Sequence, residues 1–554
     1  MKKIWWKEAV AYQIYPRSFN DSNNDGIGDI RGIIEKLEYL KDLGVDVIWV
    51  SPFYKSPNDD NGYDISDYQD IMEEFGTMKD FDDLLKEVHK RNMKLIIDLV
   101  INHTSDEHPW FIESKSSRDS NKRDWYIWRD GKDNKEPNNW ESIFKGSAWE
   151  YDENTKQYYL HLFTKKQPDL NWENEDMRRR IYDMMNWWLD KGIDGFRVDA
   201  ISHINKEKDL KDMPNPDNLE YVPSFDKHMN VEGIHKYLKE LKENTFDKYD
   251  IMTVGEANGV KTQDAHMWVG EEEGKFNMVF QFEHIDLWSN KVGEKLDLVK
   301  FKEVITRWQD GLYKTGWNAL FIENHDIARC VSSLGDDKNY WYESSTSLGL
   351  MYFMLQGTPF IYQGQEIGMT NVAFNSIEDY DDVRTKNHYY IELNNGKTHE
   401  ELIKEVWETS RDNTRTPMQW DDSINAGFSK VNPWMKVNPN YININVENQL
   451  NDEKSILSFY KNMIKIRKSD ELYVYGKYDL LLKEDENIYA YTRTFKDRQV
   501  IVICNISDKL LECDLKNFKL NHKNLILSNY NVDNHIECCN INLRPYECRM
   551  YRLK

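Results

Sequence analysis

The sequence predicts an α/β protein: a (β/α)8 barrel with a small domain inserted after the third strand and an antiparallel β domain at the C-terminus. Three observations predict it. Eight short apolar runs alternate with amphipathic helical stretches over residues 9–366. Three carboxylates, Asp199, Glu256 and Asp326, stand at or just past the ends of such runs, 57 and 70 residues apart, room enough for a helix between strands. From about residue 473 the texture changes to alternating β segments. Carboxylates at the C-terminal ends of parallel strands converge on one mouth in a barrel.

The strand runs are AVAYQIYP (9–16), VDVIWVSP (45–52), KLIIDLVINH (94–103), DGFRVDA (194–200), IMTVGEA (251–257), NMVFQF (277–282), NALFIENHD (318–326) and PFIYQGQE (359–366). Between them IIEKLEYLKDLG, DFDDLLKEVHKRN, MRRRIYDMMNWWLDKG and SSTSLGLMYFMLQG carry helical periodicity. Gly44, Gly192 and Gly357 stand where helix C-caps would fall. Residues 104–172 and 367–455 are too long for plain connections, so both read as insertions at the C-terminal face. The first is an inserted domain and the second a loop-rich, irregular subdomain. The expected division is 1–103 and 173–472 for the barrel, 104–172 for the insert and 473–554 for a C-terminal β-sandwich, with strands in YGKYDLLL, NIYAYTRTF and RQVIVICNI.

Composition narrows the partners. Charged residues are 31% and hydrophobic ones 40% of 554, ordinary for a globular chain. A formal net charge of −23 argues against nucleic acid and anionic membrane as partners. No apolar run approaches the ~20 residues of a membrane span, and the start MKKIWWKEAVAYQIYP has no signal-peptide core. A cytoplasmic monomer with reduced cysteines is therefore expected. The 19 Trp and 32 Tyr suit stacking on sugar rings, although core packing accounts for most aromatics equally well.

Paired carboxylates flanking a scissile bond are the machinery of glycoside hydrolysis. Arg197 lies two residues before Asp199, so on a strand both point to one side and the guanidinium would hold Asp199 ionised. Glu256 would have to hold a proton for the leaving oxygen, a state that partial burial and neighbouring carboxylates favour. Any one of these residues alone would more readily be a helix cap, a surface charge or a structural histidine. Their joint spacing has no such explanation.

DLVINH (98–103), GFRVDAISH (195–203), VGEANG (254–259) and FIENHD (321–326) resemble the four signature regions of glycoside hydrolase family 13, the α-amylase family, in its order and spacing. QPDLNW (167–172) resembles a fifth region of its oligo-1,6-glucosidase and α-glucosidase branch, and the resemblance covers nearly the whole chain. It implies Asp199 as nucleophile, Glu256 as acid/base and Asp326 as the third carboxylate. His103 and His325 become hydroxyl-binding residues, and Asp98 a support below the pocket. DNGYDISDY (60–68) matches the segment around the terminal glucose, with Tyr63 stacking on the ring and Asp60 accepting from its far hydroxyls. In RDNTRTPMQW (411–420), Arg415 matches the arginine expected to pair with Asp60 and close the pocket, with Arg411 as its neighbour. Phe163 and Gln167 are pocket-wall candidates.

DSNNDGIGD (21–29) places Asp21, Asn23, Asp25 and Asp29 around Gly26 like the first half of an EF-hand loop, with Gly32 where the closing Glu would be. An Asx-rich turn without metal explains the same residues. The resemblance implies a structural Ca²⁺ or Mg²⁺ here, with the Ile27 carbonyl as a further ligand.

Ala200 follows the nucleophile. Branch members preferring α-1,6 bonds tend to carry Val there, and those accepting α-1,4 bonds Ala or Thr. The stretches 212–235 and 246–260 also resemble bacterial exo-α-1,4-glucosidases. The expectation is a retaining exo-α-1,4-glucosidase acting on maltose and short oligosaccharides. The alternatives are an oligo-1,6-glucosidase, a sucrose hydrolase or isomerase, and a trehalose-6-phosphate hydrolase. The segment IARCVSSLGDD (327–337) lacks the arginine-rich stretch of sucrose isomerases. A non-catalytic transporter-subunit relative would have damaged motifs and a membrane anchor, against the three intact carboxylates here.

Overall fold

The computed structural model describes residues 3–532 and 538–554. Eight parallel strands form one sheet: β1 Ala11–Ile14, β2 Val47–Val50, β3 Lys94–Val100, β4 Gly195–Asp199, β5 Met252–Glu256, β6 Met278–Phe280, β7 Ala319–Leu320 and β8 Thr358–Tyr362. Their order is β6-β5-β4-β3-β2-β1-β8-β7. A single parallel bridge, Val279 to Asn318, joins β6 to β7 and closes the barrel. All eight apolar runs of the sequence contribute a strand. The seventh is much shorter than its run, so Asp326 stands on a loop six residues past β7 rather than at the strand's end.

The strands are buried on both faces, which is why they read as continuous apolar runs. β4 and β5 approach so closely that a Cβ on Gly195 (φ +140°) would lie 1.8 Å from the Met252 carbonyl oxygen. Only glycine fits there, and it opens the strand that carries Arg197 and Asp199. The helix Met78–Lys90 begins with a Thr77/Asp80 capping box and buries Phe81, Leu84, Leu85 and Val88, one face at i, i+3, i+4 and i+7. Each such side chain contributes about 1.5–3 kcal/mol. Glu175–Lys191, capped by Asn174, buries Met177, Ile181, Met184, Met185 and Trp188 and ends at Gly192 (φ +100°). Gly44 (φ +101°) likewise ends Leu37–Leu43. Gly357 does not cap a helix. It directly precedes β8, where a side chain would collide with the Asn318 carbonyl.

The insert carries a three-stranded antiparallel sheet: Trp128–Arg129, Gln157–Leu160 and Trp149–Asp152. The segment 367–455 is not irregular as expected. It holds the helices Val383–Asn394 and His399–Thr409, capped by Asp382 and by a Thr398/Glu401 capping box. They pack on their own apolar cluster, which includes Val372, Phe374, Tyr380 and Val406. The first helix buries only Tyr389 along its length, so its sequence has almost no apolar stripe to betray it.

After the helix Ile456–Ser469, five antiparallel strands, Lys477–Leu481, Ile488–Phe495, Arg498–Asn505, Cys548–Arg552 and Leu525–Ser528, form the C-terminal sheet. Six cysteines are free thiols. Among the described residues no helix is long and apolar enough to cross a membrane.

Two buried arginines fasten this sheet to the barrel. Arg467 donates to the carbonyls of Phe353, Leu355, Gly357 and Tyr473. Arg493 donates to those of Met354, Tyr473, Val474 and Gly476. Each buried carbonyl left without a donor costs about 1–3 kcal/mol. Arg493→Met should therefore lower the free energy of unfolding, read from denaturant titration, by several kcal/mol. A loss below about 1 kcal/mol would show that these carbonyls find other donors.

Candidate active site

β4 ends in Arg197-Val198-Asp199, and the period of two puts the arginine and the aspartate on the same face. Arg197 Nη1 lies 2.8 Å from Asp98 Oδ1 and 2.7 Å from Asp199 Oδ1, and Nη2 lies 3.0 Å from Glu256 Oε2. One buried guanidinium thus joins carboxylates from β3, β4 and β5. Glu256 Oε2 also accepts from the Ala200 amide at 2.7 Å. Ala200 adopts φ +44°, a left-handed conformation that turns this amide toward Glu256. Asp199 Oδ2 and Glu256 Oε1 have no protein partner among the described residues, and both residues line the same cavity. Burial and the charge of Glu256 push the Asp199 carboxyl well above the ordinary range, and Arg197 opposes both.

Asp98 sits beneath this cluster. Its Oδ2 accepts from Trp49 Nε1 (3.1 Å) and Tyr63 Oη (3.2 Å). Tyr63 lies parallel to His325, with ring centroids 5.4 Å apart, and its hydroxyl is 2.6 Å from His325 Nε2. Gln13 Nε2 approaches Nδ1 of the same ring at 2.7 Å. Burial holds His325 neutral by pushing its pKa down to about 3, and does the same to His103. His103 is held by Gln167 Nε2 (3.1 Å) and the Tyr63 carbonyl (3.2 Å).

Asp326 is held ionised. Burial acts against it, but Arg411 (3.1 Å) and Arg415 (3.0 Å) hold it well below the usual carboxylate range, with the neutral His325 ring 3.1 Å away. Asp60 is the opposite case. Burial raises it to about 7, against the pull of Arg411 and Arg415.

The expected Asp60–Arg415 pair is not formed. Arg415 lies inside the protein, bonded to the His325 carbonyl and to Asp326. Arg411, one helical turn earlier, reaches Asp60 at 3.5 Å and closes the end of the pocket. Asp382, which sequence reading missed, sets this arrangement: its Oδ1 takes Arg411 Nε at 2.9 Å and Nη2 at 2.5 Å. No motif announces Asp382, which is a helix N-cap. Gln167 is fully buried and holds Asp60 (3.1 Å) from behind instead of lining the wall.

The cavity has a volume of about 580 Å³. Asp60, Tyr63, His103, Phe163, Asp199, Ala200, Glu256, Asp326 and Arg411 line it, joined by Phe144, Phe225 and Arg384, which sequence reading did not single out. Phe144 and Phe225 lie among many aromatics and Arg384 in the segment read as irregular, so none carried a signal of its own.

The EF-hand-like loop stands apart from this cavity. Asp21 accepts from the amides of Asn23, Asn24 and Gly26. Asn23 Oδ1 accepts from Asp25 N, and Asp25 Oδ1 from Ile27 N. Asp29 accepts from Ser22 and caps the helix Ile30–Glu35 through Gly32 N. Among the described residues no three acidic, histidine or cysteine groups converge on a metal position. A cation here would depend on Asn23 and the Ile27 carbonyl beside the carboxylates, an oxygen-only set suited to a hard divalent ion.

The Alpha amylase, catalytic domain family model matches residues 13–476, and the Maltogenic Amylase, C-terminal domain model matches 478–550. The chain is 58% identical over 551 residues to a probable oligo-1,6-glucosidase 3 of Bacillus subtilis, with 100% of both chains covered. It is 54% identical over 560 residues, again with 100% of both covered, to an oligo-1,6-glucosidase of Parageobacillus thermoglucosidasius. Among solved structures, a mutant trehalose-6-phosphate hydrolase of Bacillus licheniformis superposes with a TM-score of 0.94 at 44% identity, covering 99% of this chain and 100% of that one. The chain therefore belongs to the α-amylase family, glycoside hydrolase family 13, in its oligo-1,6-glucosidase and α-glucosidase branch.

Proposed function

We propose that this chain is a retaining exo-α-glucosidase that removes terminal α-linked glucose from short oligosaccharides, α-1,4-linked ones first. The carrying observation is the pocket with one closed end: Asp60 and Arg411 shut it beyond Tyr63 and His103, while Asp199 and Glu256 share one guanidinium at its centre. Such a pocket admits one terminal sugar.

In this reading Asp199 Oδ2 attacks the anomeric carbon as the bond to the leaving oxygen breaks, and Glu256 Oε1 gives that oxygen its proton. The fixed donors on Asp199 Oδ1 and Glu256 Oε2 leave these two oxygens free to react. Glu256 then takes a proton from water, which opens the glucosyl ester and restores Asp199. Asp326, held ionised by two arginines, accepts from sugar hydroxyls and offsets the positive charge developing on the ring.

Linkage preference is the finer part. Ala200 is buried beside Glu256, at the pocket's wall, and its small side chain supports the α-1,4 reading. The relatives named oligo-1,6-glucosidases favour α-1,6 as the second reading. Initial rates on maltose, isomaltose, sucrose and p-nitrophenyl α-glucoside, with products resolved, test both. Maltose ahead of isomaltose is expected, with Ala200→Val raising the isomaltose-to-maltose ratio of kcat/KM. One methylene-scale change is worth about 1–3 kcal/mol. Isomaltose ahead in the wild type, or an unmoved ratio in the variant, would overturn the α-1,4 assignment.

Asp60 gives a pH prediction. With its carboxyl raised to about 7, it is the acid form below that pH and loses acceptor capacity for sugar hydroxyls. KM should rise as pH falls through about 7 in the wild type, and Asp60→Asn should flatten this limb while keeping the response of kcat. An unchanged KM profile in the variant would contradict the role.

We also propose that the loop 21–29 holds a structural Ca²⁺ or Mg²⁺. Its chained Asx turns and oxygen-only donors support this. Chelation should lower Tm with kcat unchanged, and Asp21→Ala should abolish that response. A Tm indifferent to both chelator and added cation would leave the loop as a metal-free turn.

A further inference from the structure

Gln13 lies on β1, buried, and does not line the catalytic cavity. Its side-chain nitrogen meets Ser51 Oγ at 3.1 Å and Nδ1 of His325 at 2.7 Å, so both of its hydrogens have an acceptor in place. On the other edge of the same ring, Nε2 lies 2.6 Å from Tyr63 Oη and 3.1 Å from Asp326 Oδ2. A neutral imidazole carries one proton on one of its two nitrogens. Which nitrogen holds it decides whether the ring donates or accepts at the site.

The groups around the ring fix the proton. Asp98 is paired with Arg197 through Oδ1, and its Oδ2 accepts the indole N–H of Trp49. The Tyr63 hydroxyl stands 3.2 Å from that Oδ2 and must donate to it, because two bare oxygens would repel. Tyr63 Oη is therefore an acceptor toward His325. Asp326, ionised between Arg411 and Arg415, is also an acceptor. Two accepting oxygens thus face Nε2, and a bare Nε2 would oppose its lone pair to both. Burial and the charges of Arg197, Arg411 and Arg415 keep a second proton off the ring, against the pull of Asp326. Nδ1 is then the bare nitrogen, and Gln13 supplies the donor it needs. The pattern recurs at His284, where Nε2 meets the Phe321 carbonyl at 2.8 Å and Gln281 Nε2 meets Nδ1 at 2.7 Å. A carbonyl has no hydrogen to give, so that ring too carries its proton on Nε2.

We propose that Gln13 is a positioning residue that locks His325 in the Nε2–H tautomer, so that the ring donates toward Asp326. Asp326 then has donors on both oxygens, Arg411 and Arg415 on Oδ1 and His325 on Oδ2, which fixes its orientation. In the other tautomer a bare Nε2 would face Asp326 Oδ2 and drive the carboxylate away. The Tyr63 hydroxyl is committed to Asp98, so Tyr63 offers a ligand its ring face. The effect on turnover rests on the α-glucosidase reading, through the role of Asp326 there. The tautomer itself does not depend on that reading.

The direct test is a long-range ¹H–¹⁵N correlation spectrum of the full-length protein labelled with ring-¹⁵N histidine, the His325 signals being those lost in His325→Gln. The wild type is expected to show Nε2 protonated and Nδ1 bare near neutral pH. A proton on Nδ1, alone or together with Nε2, would overturn the proposal. Gln13→Glu replaces the donor facing Nδ1 by an acceptor, so His325 should then carry protons on both nitrogens, while His284 keeps its wild-type pattern. With that change kcat on p-nitrophenyl α-glucoside should fall about tenfold or more, the size of one hydrogen bond to a charged group, and KM should change less. An unaltered His325 pattern or an unchanged kcat in Gln13→Glu would overturn the role of Gln13. Should that variant not fold, Gln13→Met removes the donor without adding charge. Its kcat should fall about threefold or more, and an unchanged kcat would overturn the role equally. Because the tautomer is read in the resting protein, failure to cleave any α-glucoside would refute the catalytic reading separately.

Discussion

The site depends on Arg197. Its guanidinium is buried, and it is the common partner of Asp98, Asp199 and Glu256. Three carboxylates gathered within a barrel mouth repel one another, and water reaches them too little to screen the repulsion. One fixed positive charge makes the arrangement tolerable and also sets it geometrically. It takes one oxygen of Asp199 and one of Glu256, leaving the other oxygen of each turned to the cavity. Removing the cation would leave buried charges without compensation, a cost of about 3–5 kcal/mol. The same contact thus stabilises the buried cluster and sets the geometry of its reacting oxygens.

A second cation layer repeats the logic farther out. Asp382 fixes Arg411, Arg411 and Arg415 fix Asp326, and Arg411 meets Asp60. The participants come from the loops after β2, β7 and β8, brought together only because all open at the same end of the barrel. Gln167, from the insert after β3, completes the wall by holding both Asp60 and His103. Barrel strands carry Asp199 and Glu256, and the inserted segments carry Phe144, Phe163, Arg384 and Arg411, which line the cavity around them.

Much of this was legible in the sequence for physical reasons. Strands buried on both faces leave uninterrupted apolar runs, so all eight barrel strands could be located. The alternation in Arg197-Val198-Asp199 placed two functional groups on one face. Pairing between distant loops was not legible in the same way. Arg411 and Arg415 sit one helical turn apart, and which of them meets Asp60 depends on Asp382, a helix cap some thirty residues away in sequence. The helix at 383–394 was missed because it buries a single aromatic and so lacks the apolar stripe that helical periodicity requires, whereas the one at 399–409 was missed although Leu402, Ile403 and Val406 give it such a stripe. Arg384, which lines the cavity, was missed with them.

The central claim is that Arg197 leaves Asp199 Oδ2 free to form a bond to the sugar. Trapping with 5-fluoro-α-D-glucosyl fluoride, followed by mass analysis of the labelled peptide, tests it most directly. The account predicts a covalent glucosyl adduct on Asp199, in the peptide containing GFRVDA. An adduct on Glu256 or Asp326, or turnover of the reagent with no adduct on any carboxylate, would contradict it.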